Sequence, residues 1–411
     1  MASPRKVVIT GIGPVTPVGI GVDDFWAGMT GGRNGVRTIT RFPIGDLPVS
    51  VAGEVDGFDP SAFLDTKEVR RMDRFSHFGV AAAKLAWADA GDPDVVAERG
   101  GVIFATGIGG IETLLTQYDV LRERGPGRVS PFMVPALMAN APGGHIAMHF
   151  GLTGPNFTTI SACSSSNHAI AEAMRFIRDG TLDLCIAGGS ESATLPITVA
   201  AFAQMTALTK NPDPETASRP FDARRDGFVI SEGACALVME SAEHAKARGA
   251  RIYCEVVGAG MSDDAFHITA PDPKGSGAAL AMRWALQDAH AAPEDVTYIN
   301  AHGTSTPLND ASEAAAIGAV LGEHARTVAI SSTKSMTGHQ MGAAGAVEGA
   351  VCALAITHGR IPPTIHHGEP DPEIDLDVTP NIARDLEVHL ALSNSFGFGG
   401  HNTCVAFGRT T

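Results

Sequence analysis

Short runs of β-branched and apolar residues alternate along this chain with longer stretches of helical periodicity, the pattern of an α/β protein with buried strands. Three runs, Val102-Ile103-Phe104-Ala105, Leu184-Cys185-Ile186-Ala187 and Val328-Ala329-Ile330, are apolar at every position and predict central strands covered on both faces. Asp73 to Ala90 predicts a helix stopped by Gly91. Lys6-Val7-Val8-Ile9-Thr10-Gly11-Ile12-Gly13 predicts a strand running into a Gly-x-Gly turn, and Tyr253-Cys254-Glu255-Val256-Val257-Gly258-Ala259-Gly260 has the same form. No low-complexity Pro, Ser or Gly stretch divides the chain, which argues against domains on a flexible tether.

The 411 residues, 44% hydrophobic and 18% charged, are enough for a large core or two fused halves. Forty-five acidic against 30 basic residues leave a formal net charge of -15, so the surface as a whole should repel nucleic acid and anionic membranes. An anionic partner would need a local basic patch. Lys67, Arg70, Arg71 and Arg74 form one, which reads equally as a solvated helix face. The six cysteines, at 163, 185, 235, 254, 352 and 404, include no Cys-x-x-Cys pair and read as reduced thiols of a cytoplasmic protein. Met1 to Lys6 passes directly into Val7-Val8-Ile9-Thr10, leaving no room for a signal peptide, and no apolar run is expected to span a bilayer.

The chemistry concentrates where apolar runs end. Cys163, in Thr159-Ile160-Ser161-Ala162-Cys163-Ser164-Ser165-Ser166, stands where a strand breaks and the helical pattern of Ile170, Ala173, Met174 and Ile177 begins. A helix N-terminus favours thiolate over thiol and offers N–H groups to an oxyanion. The other five cysteines read as buried small hydrophobes. His302 lies in Asn300-Ala301-His302-Gly303-Thr304-Ser305-Thr306-Pro307, and Lys334 and His339 lie in Ser331 to His339. Either histidine alone would read as a core residue, but two in Gly/Ser/Thr-rich turns beside a lysine and a nucleophilic cysteine make a covalent-catalysis constellation. Glu348, among small and apolar neighbours, predicts a buried carboxylate paired with Lys334. Gly11-Ile12-Gly13-Pro14 lacks the third glycine of a dinucleotide loop, Gly188-Gly189-Ser190-Glu191-Ser192 lacks the closing glycine of a hydrolase elbow, and no histidine has metal-ligand spacing with a cysteine.

Cys163, the run from His302 to Pro307, the run Ser332-Thr333-Lys334-Ser335-Met336-Thr337-Gly338-His339 and the run Asn394-Ser395-Phe396-Gly397-Phe398-Gly399-Gly400 follow one another as in the β-ketoacyl-[acyl-carrier-protein] synthases. The chain most resembles their synthase II branch, from about Lys6 to Arg409. The resemblance implies a thiolase-like α/β fold of two similar halves in five alternating αβαβα layers. Residues 1–250 would carry the nucleophile and residues 251–411 the two histidines and the lysine.

The resemblance also implies that Cys163 takes the acyl chain, with its backbone N–H and that of Phe398 as oxyanion hole. His302 and His339 would stabilise the enolate from malonyl decarboxylation, supported by Lys334, Glu348 and Asp310, the last of which otherwise reads as a helix cap. Thr304 and Thr306 would grip the phosphopantetheine arm, or simply stabilise their turn. Ile108 and Phe202 would bound the acyl pocket, Phe398 would gate it, and Lys67, Arg70 and Arg71 would dock an acyl carrier protein. No cofactor or metal is implied beyond the carrier's own arm. Three positions depart from the family pattern: Ser166 for glycine, His401 for threonine after the glycines, and Thr206 for a docking arginine.

The activity implied is decarboxylative condensation of malonyl carrier protein with a Cys-bound acyl chain, by a cytoplasmic homodimer in fatty-acid synthesis. The same chemistry in a dissociated polyketide pathway, as a heterodimer with a chain-length factor, is the closest alternative. A non-catalytic chain-length subunit is the next, against which stand Cys163 and both histidines, and a nicotinamide reductase is the third.

Overall fold

In this computed structural model, residues 4–410 are described; the first three residues of the expected leaderless start lie outside them. Two series of five strands set the architecture. The first is β1 (Val7–Thr16), β2 (Gly100–Ala105), β3 (Asn156–Phe157), β4 (Leu184–Glu191) and β5 (Gly233–Ser241). The second is β6 (Cys254–Asp263), β7 (Tyr298–Asn300), β8 (Ala329–Ser331), β9 (Leu390–Gly397) and β10 (His401–Gly408). Across the sheet they run β8-β7-β9-β10-β6-β1-β5-β4-β2-β3. Outward from the centre each series therefore reads first, fifth, fourth, second, third strand. Directions repeat as well: β5 is antiparallel to β1 and to β4 while β2 is parallel to β4 and β3, and β10, β9, β7 and β8 follow the same scheme. The series join where Val8 faces Glu255 and Ile9 faces Cys254.

Five helices complete the layers: α1 (Arg74–Asp89), α2 (Ser165–Arg178), α3 (Ser276–Asp288), α4 (Pro307–Leu321) and α5 (Ala344–His358). α2 and α5 pack against each other between the two series, α1 covers β1 and β5 on one outer face, and α3 covers β6 and β10 on the other, with α4 against α3. The result is helix, sheet, helix pair, sheet, helix. Apart from Glu348, α5 is apolar from Ala344 to Ile356, and it is buried over that span because both its faces are covered. The run Met341–His358 does reach the length and apolarity of a bilayer span, contrary to expectation, but it is a buried core segment here.

The expected helix over Asp73–Ala90 forms, with Asp73 as N-cap accepting from Phe75 N at 3.3 Å and Gly91 at φ 77° beyond its end. Two expectations need correction. The Gly-x-Gly pairs are not turns but lie inside β1 and β6, where they let the outer helices approach. A Cβ would come within 2.1 Å of Ala86 O at Gly11 and 1.9 Å of Ala82 O at Gly13, and within 2.4 Å of Ala285 O at Gly258 and 2.0 Å of Ala281 O at Gly260. The run at Val328–Ile330 forms an edge strand, not a central one. It is buried because the segment around Asp377 covers that edge, with Ile330 N donating to Asp377 O at 2.9 Å.

Candidate active site

Cys163 sits in a 3-10 turn, Ala162–Ser164, that leads into α2 from the first series. Ala162 is held at φ 50°, a left-handed conformation that costs about 1–2 kcal/mol for a residue with a Cβ. The surrounding contacts make up that cost. Ser164 Oγ lies 2.7 Å from both Ser395 O and His401 O, and Asn167 Nδ2 donates to Ser393 O at 3.1 Å and Ser395 Oγ at 3.0 Å. The partners belong to the β9–β10 hairpin, whose turn is Phe398-Gly399-Gly400 with the glycines at φ 88° and 82°. Gly397 must lack a side chain, since a Cβ there would lie 2.8 Å from Ser161 O and 3.0 Å from Cys163 N. Phe398 lines the cavity beside Cys163, and its N–H points at the thiol.

The second series supplies the histidines. His302 follows β7, and its N–H and that of Gly303 donate to Glu313 at 2.8 and 2.7 Å. His339 is pinned through its backbone: its N–H donates to Val229 O at 2.7 Å and its carbonyl accepts from Ser231 N at 3.0 Å. Its Nε2 lies 3.0 Å from Cys163 Sγ. The two rings stand 5.3 Å apart at 84°.

The neighbours assign the tautomers. Lys334 Nζ, a donor only, lies 3.3 Å from His302 Nδ1, and Met341 N donates to His339 Nδ1 at 3.3 Å. Both Nδ1 atoms are therefore acceptors and both Nε2 atoms carry the proton. Burial, with Lys334 adding to it, holds both imidazoles far below the usual histidine range, so they are neutral donors. Lys334 also donates to His302 O at 2.7 Å and pairs with Glu348, both side chains being only 2% exposed. Burial raises the Glu348 carboxyl and the touching ammonium opposes it.

The helix start alone predicts an ionised Cys163, but desolvation outweighs it here. Burial pushes the thiol up to about 11, with Lys334 and the Phe398 N–H acting in the opposite direction. Cys163, His302 and His339 have their donor atoms within 4.8 Å of one another. With both Nε2 atoms protonated, the trio presents one thiol and two hydrogen-bond donors. Among the described residues, Asn300 Oδ1, Glu348 Oε2, Ser393 Oγ and Asn394 Oδ1 are buried without a hydrogen-bond partner.

The trio opens into a cavity of about 420 Å³. Thr304 and Thr306 line it with hydroxyls 2.9 Å apart, and Thr306 also caps α4 by accepting from Asn309 N at 3.3 Å. Ile108, Phe202, Phe228 and Met341 line its apolar part, with Phe202 and Phe228 edge to face at 5.5 Å. Asp310 touches neither histidine. It is buried in the first turn of α4, where it accepts from Phe221 N at 2.9 Å. Ser166, at the position where glycine is usual, is buried and accepts from Ala346 N at 2.9 Å at the start of α5. His401 is exposed and lies 3.5 Å from Asp263.

Lys67, Arg70 and Arg71 lie on or just after the short helix Thr66–Val69 and are exposed, with Arg71 over the Phe132 ring at 4.5 Å. Arg74 leaves that group: it turns inward to buried Glu232 at 2.7 Å, shared with Arg41 at 2.6 Å. Thr206, where the second docking arginine is usual, lines the cavity.

The sequence alone does not single out Glu313, Glu191 or Met341 as residues of the site. Glu313 had a signal: it lies on one face of α4 with Asp310 and Ile317, three and four residues away, which makes it a carboxylate on a core face.

The Beta-ketoacyl synthase N-terminal domain matches residues 4–245 and its C-terminal domain matches residues 253–368. Curated relatives include the 3-oxoacyl-[acyl-carrier-protein] synthase 2 of Synechocystis, 49% identical over 98% of both chains. That of Coxiella burnetii is 46% identical over 98% of this chain and 99% of its own. Among solved structures, a Burkholderia phymatum Beta-ketoacyl synthase superposes with TM-score 0.92 at 37% identity, covering 99% of this chain and 100% of the other. A type II polyketide ketosynthase in complex with its acyl-carrier protein reaches 0.92 at 33%, again over 99% and 100%. The ishigamide ketosynthase/chain length factor reaches 0.91 at 38%, with the same coverage. The repeated strand order, the cysteine at the head of a central helix and the match along nearly the whole length lead to one assignment: this chain belongs to the β-ketoacyl synthase family.

Proposed function

We propose that this chain is a β-ketoacyl-[acyl-carrier-protein] synthase that extends a Cys163-bound acyl chain by two carbons from malonyl carrier protein. The observation that carries this is the convergence of one thiol and two neutral Nε2–H donors, with His339 Nε2 at 3.0 Å from Cys163 Sγ. In the first half-reaction Cys163 sulfur attacks the acyl thioester carbonyl, and the carrier thiol leaves with the proton. In the second, loss of carbon dioxide from the malonyl thioester leaves an enolate whose oxygen is met by His302 and His339. Its carbon attacks the acyl-Cys163 carbonyl, and the expelled thiolate takes up a proton.

Lys334 holds the His302 tautomer and is engaged by Glu348, which suits a positioning role and not Schiff-base chemistry. Phe398 serves as gate, Thr304 and Thr306 hold the phosphopantetheine arm, and Ile108 and Phe202 bound the acyl chain. Asp310 supports the site indirectly, through Phe221. Lys67, Arg70 and Arg71 dock the acidic carrier protein. We place the boundary between the halves near Ala250, so that the first contributes the nucleophile and the second the donors. The reaction as proposed needs no cofactor. All six cysteines are free thiols, which supports a cytoplasmic setting, and a homodimer is the proposed assembly.

A second reading, the ketosynthase of a dissociated polyketide pathway paired with a chain-length factor, is supported by the likeness to solved ketosynthases of that kind. A non-catalytic subunit is disfavoured by the intact geometry at Cys163.

The half-reactions separate the roles. His302→Ala and His339→Ala should lower condensation about a hundredfold or more, the scale for removing one oxyanion donor, while Cys163 is still acylated at least in part. Variants of both that elongate at near the unmodified rate would contradict the assignment.

A further inference from the structure

Glu191 is fully buried at the end of β4, and no cation lies within salt-bridge distance of it among the described residues. Its carboxylate is met only by neutral donors, from two segments far apart in the chain. Oε2 accepts from Gly107 N at 2.7 Å and from Gly342 N at 3.1 Å, and Oε1 accepts from Ile108 N at 3.2 Å and from Thr106 Oγ1 at 3.1 Å. One oxygen thus bridges the loop bearing Ile108 to the turn bearing His339. The bridge requires glycine on both sides: a Cβ on Gly342 would lie 2.1 Å from Gly107 N, and one on Gly107 would lie 2.8 Å from Glu191 Oε2.

The same turn sets the catalytic histidine. Met341, between His339 and Gly342, is held at φ 44°, where its N–H reaches His339 Nδ1 at 3.3 Å and leaves the proton on Nε2, facing Cys163. Met341 and Ile108 both line the cavity. We propose that Glu191 is a positioning residue that locks the acyl-pocket wall at Ile108 to the Met341–His339 turn, so that pocket shape and the donor at Cys163 are set together. This deepens the proposed condensation and rests on it. The cost of burying a carboxylate without a counter-charge, which pushes it up to about 7, is the mark of a group kept for position.

The test compares Glu191→Ala and Glu191→Gln with the unmodified protein. Acylation of Cys163 is followed across a ladder of saturated acyl carrier proteins, together with condensation using malonyl carrier protein and thermal melting. Glu191→Ala removes the bridge, and should change the ratio of long- to short-chain acylation about tenfold and lower condensation by a similar factor while still melting cooperatively. Glu191→Gln can keep an oxygen toward Gly107 and Gly342 while the Thr106 hydroxyl turns to accept from the amide. It should therefore restore most of both, with a residual length shift of about threefold from the lost Ile108 bond. A folded Glu191→Ala with an unchanged length profile overturns the inference. If Glu191→Ala does not fold, a Glu191→Gln profile identical to the unmodified one overturns it instead. An unmodified protein that acylates or condenses nothing would overturn the functional reading itself, a separate outcome.

Discussion

Cys163 is pulled two ways: desolvation holds it as a thiol, while Lys334 and the Phe398 N–H favour the thiolate. Lys334 is the larger of the two lowering influences. Replacing it removes a positive charge from the neighbourhood of a developing anion and so makes ionisation harder. We expect Lys334→Ala to move the pH midpoint of Cys163 alkylation by iodoacetamide upward, with mass spectrometry identifying the alkylated cysteine. A midpoint that stays or falls would show that Lys334 does not act on the thiol. The residues of this centre could be read from sequence because each polar cluster ends an apolar run and has few structural uses there. Glu191 could not, since its donors Gly107, Ile108 and Gly342 are 84, 83 and 151 residues away. A carboxylate closing a strand carries no mark of whether water or backbone N–H groups will meet it.

The β9–β10 hairpin and the Cys163 turn act as one unit, because Ser164 and Asn167 are bonded into the hairpin and Gly397 packs on the turn. Gly397→Ala would put a methyl 2.8 Å from Ser161 O and 3.0 Å from Cys163 N. Overpacking of this kind costs about 1–3 kcal/mol, and the displaced turn should also slow acylation. Urea unfolding and the acylation rate measured together check this, and an unaffected acylation rate would mean that the hairpin does not position the nucleophile. Glycines also mark how far element-level reading reached. The Gly-x-Gly pairs in β1 and β6 stand out in the sequence as a repeat but predict turns, because only the outer helices reveal that these glycines serve close packing. The run at Val328–Ile330 looked central for a similar reason: the covering segment around Asp377 comes from nearly 50 residues further on.

At the scale of the whole molecule, the repeated strand order explains why Cys163, from the first series, and His302 and His339, from the second, meet: α2 and α5 pack side by side between the two series. The chain carries a formal net charge of -15, and in the proposed docking the exposed Lys67, Arg70 and Arg71 are the local exception that meets an acidic carrier. Reversing Arg70 and Arg71 to glutamate should raise KM for carrier-borne acyl chains about tenfold at low salt, and less at high salt, while leaving transfer from a small acyl thioester without a carrier largely unchanged. Equal loss with both donors would place the defect elsewhere than docking. The central claim is condensation through an acyl-Cys163 intermediate, and intact-protein and product mass spectrometry on one reaction mixture tests it directly. Purified protein given acyl carrier protein alone should gain one acyl mass, located on Cys163. Addition of malonyl carrier protein should then discharge it as a β-keto thioester two carbons longer, with Cys163→Ala inert in both steps. Acyl mass on another cysteine, or elongation by Cys163→Ala, would contradict the account.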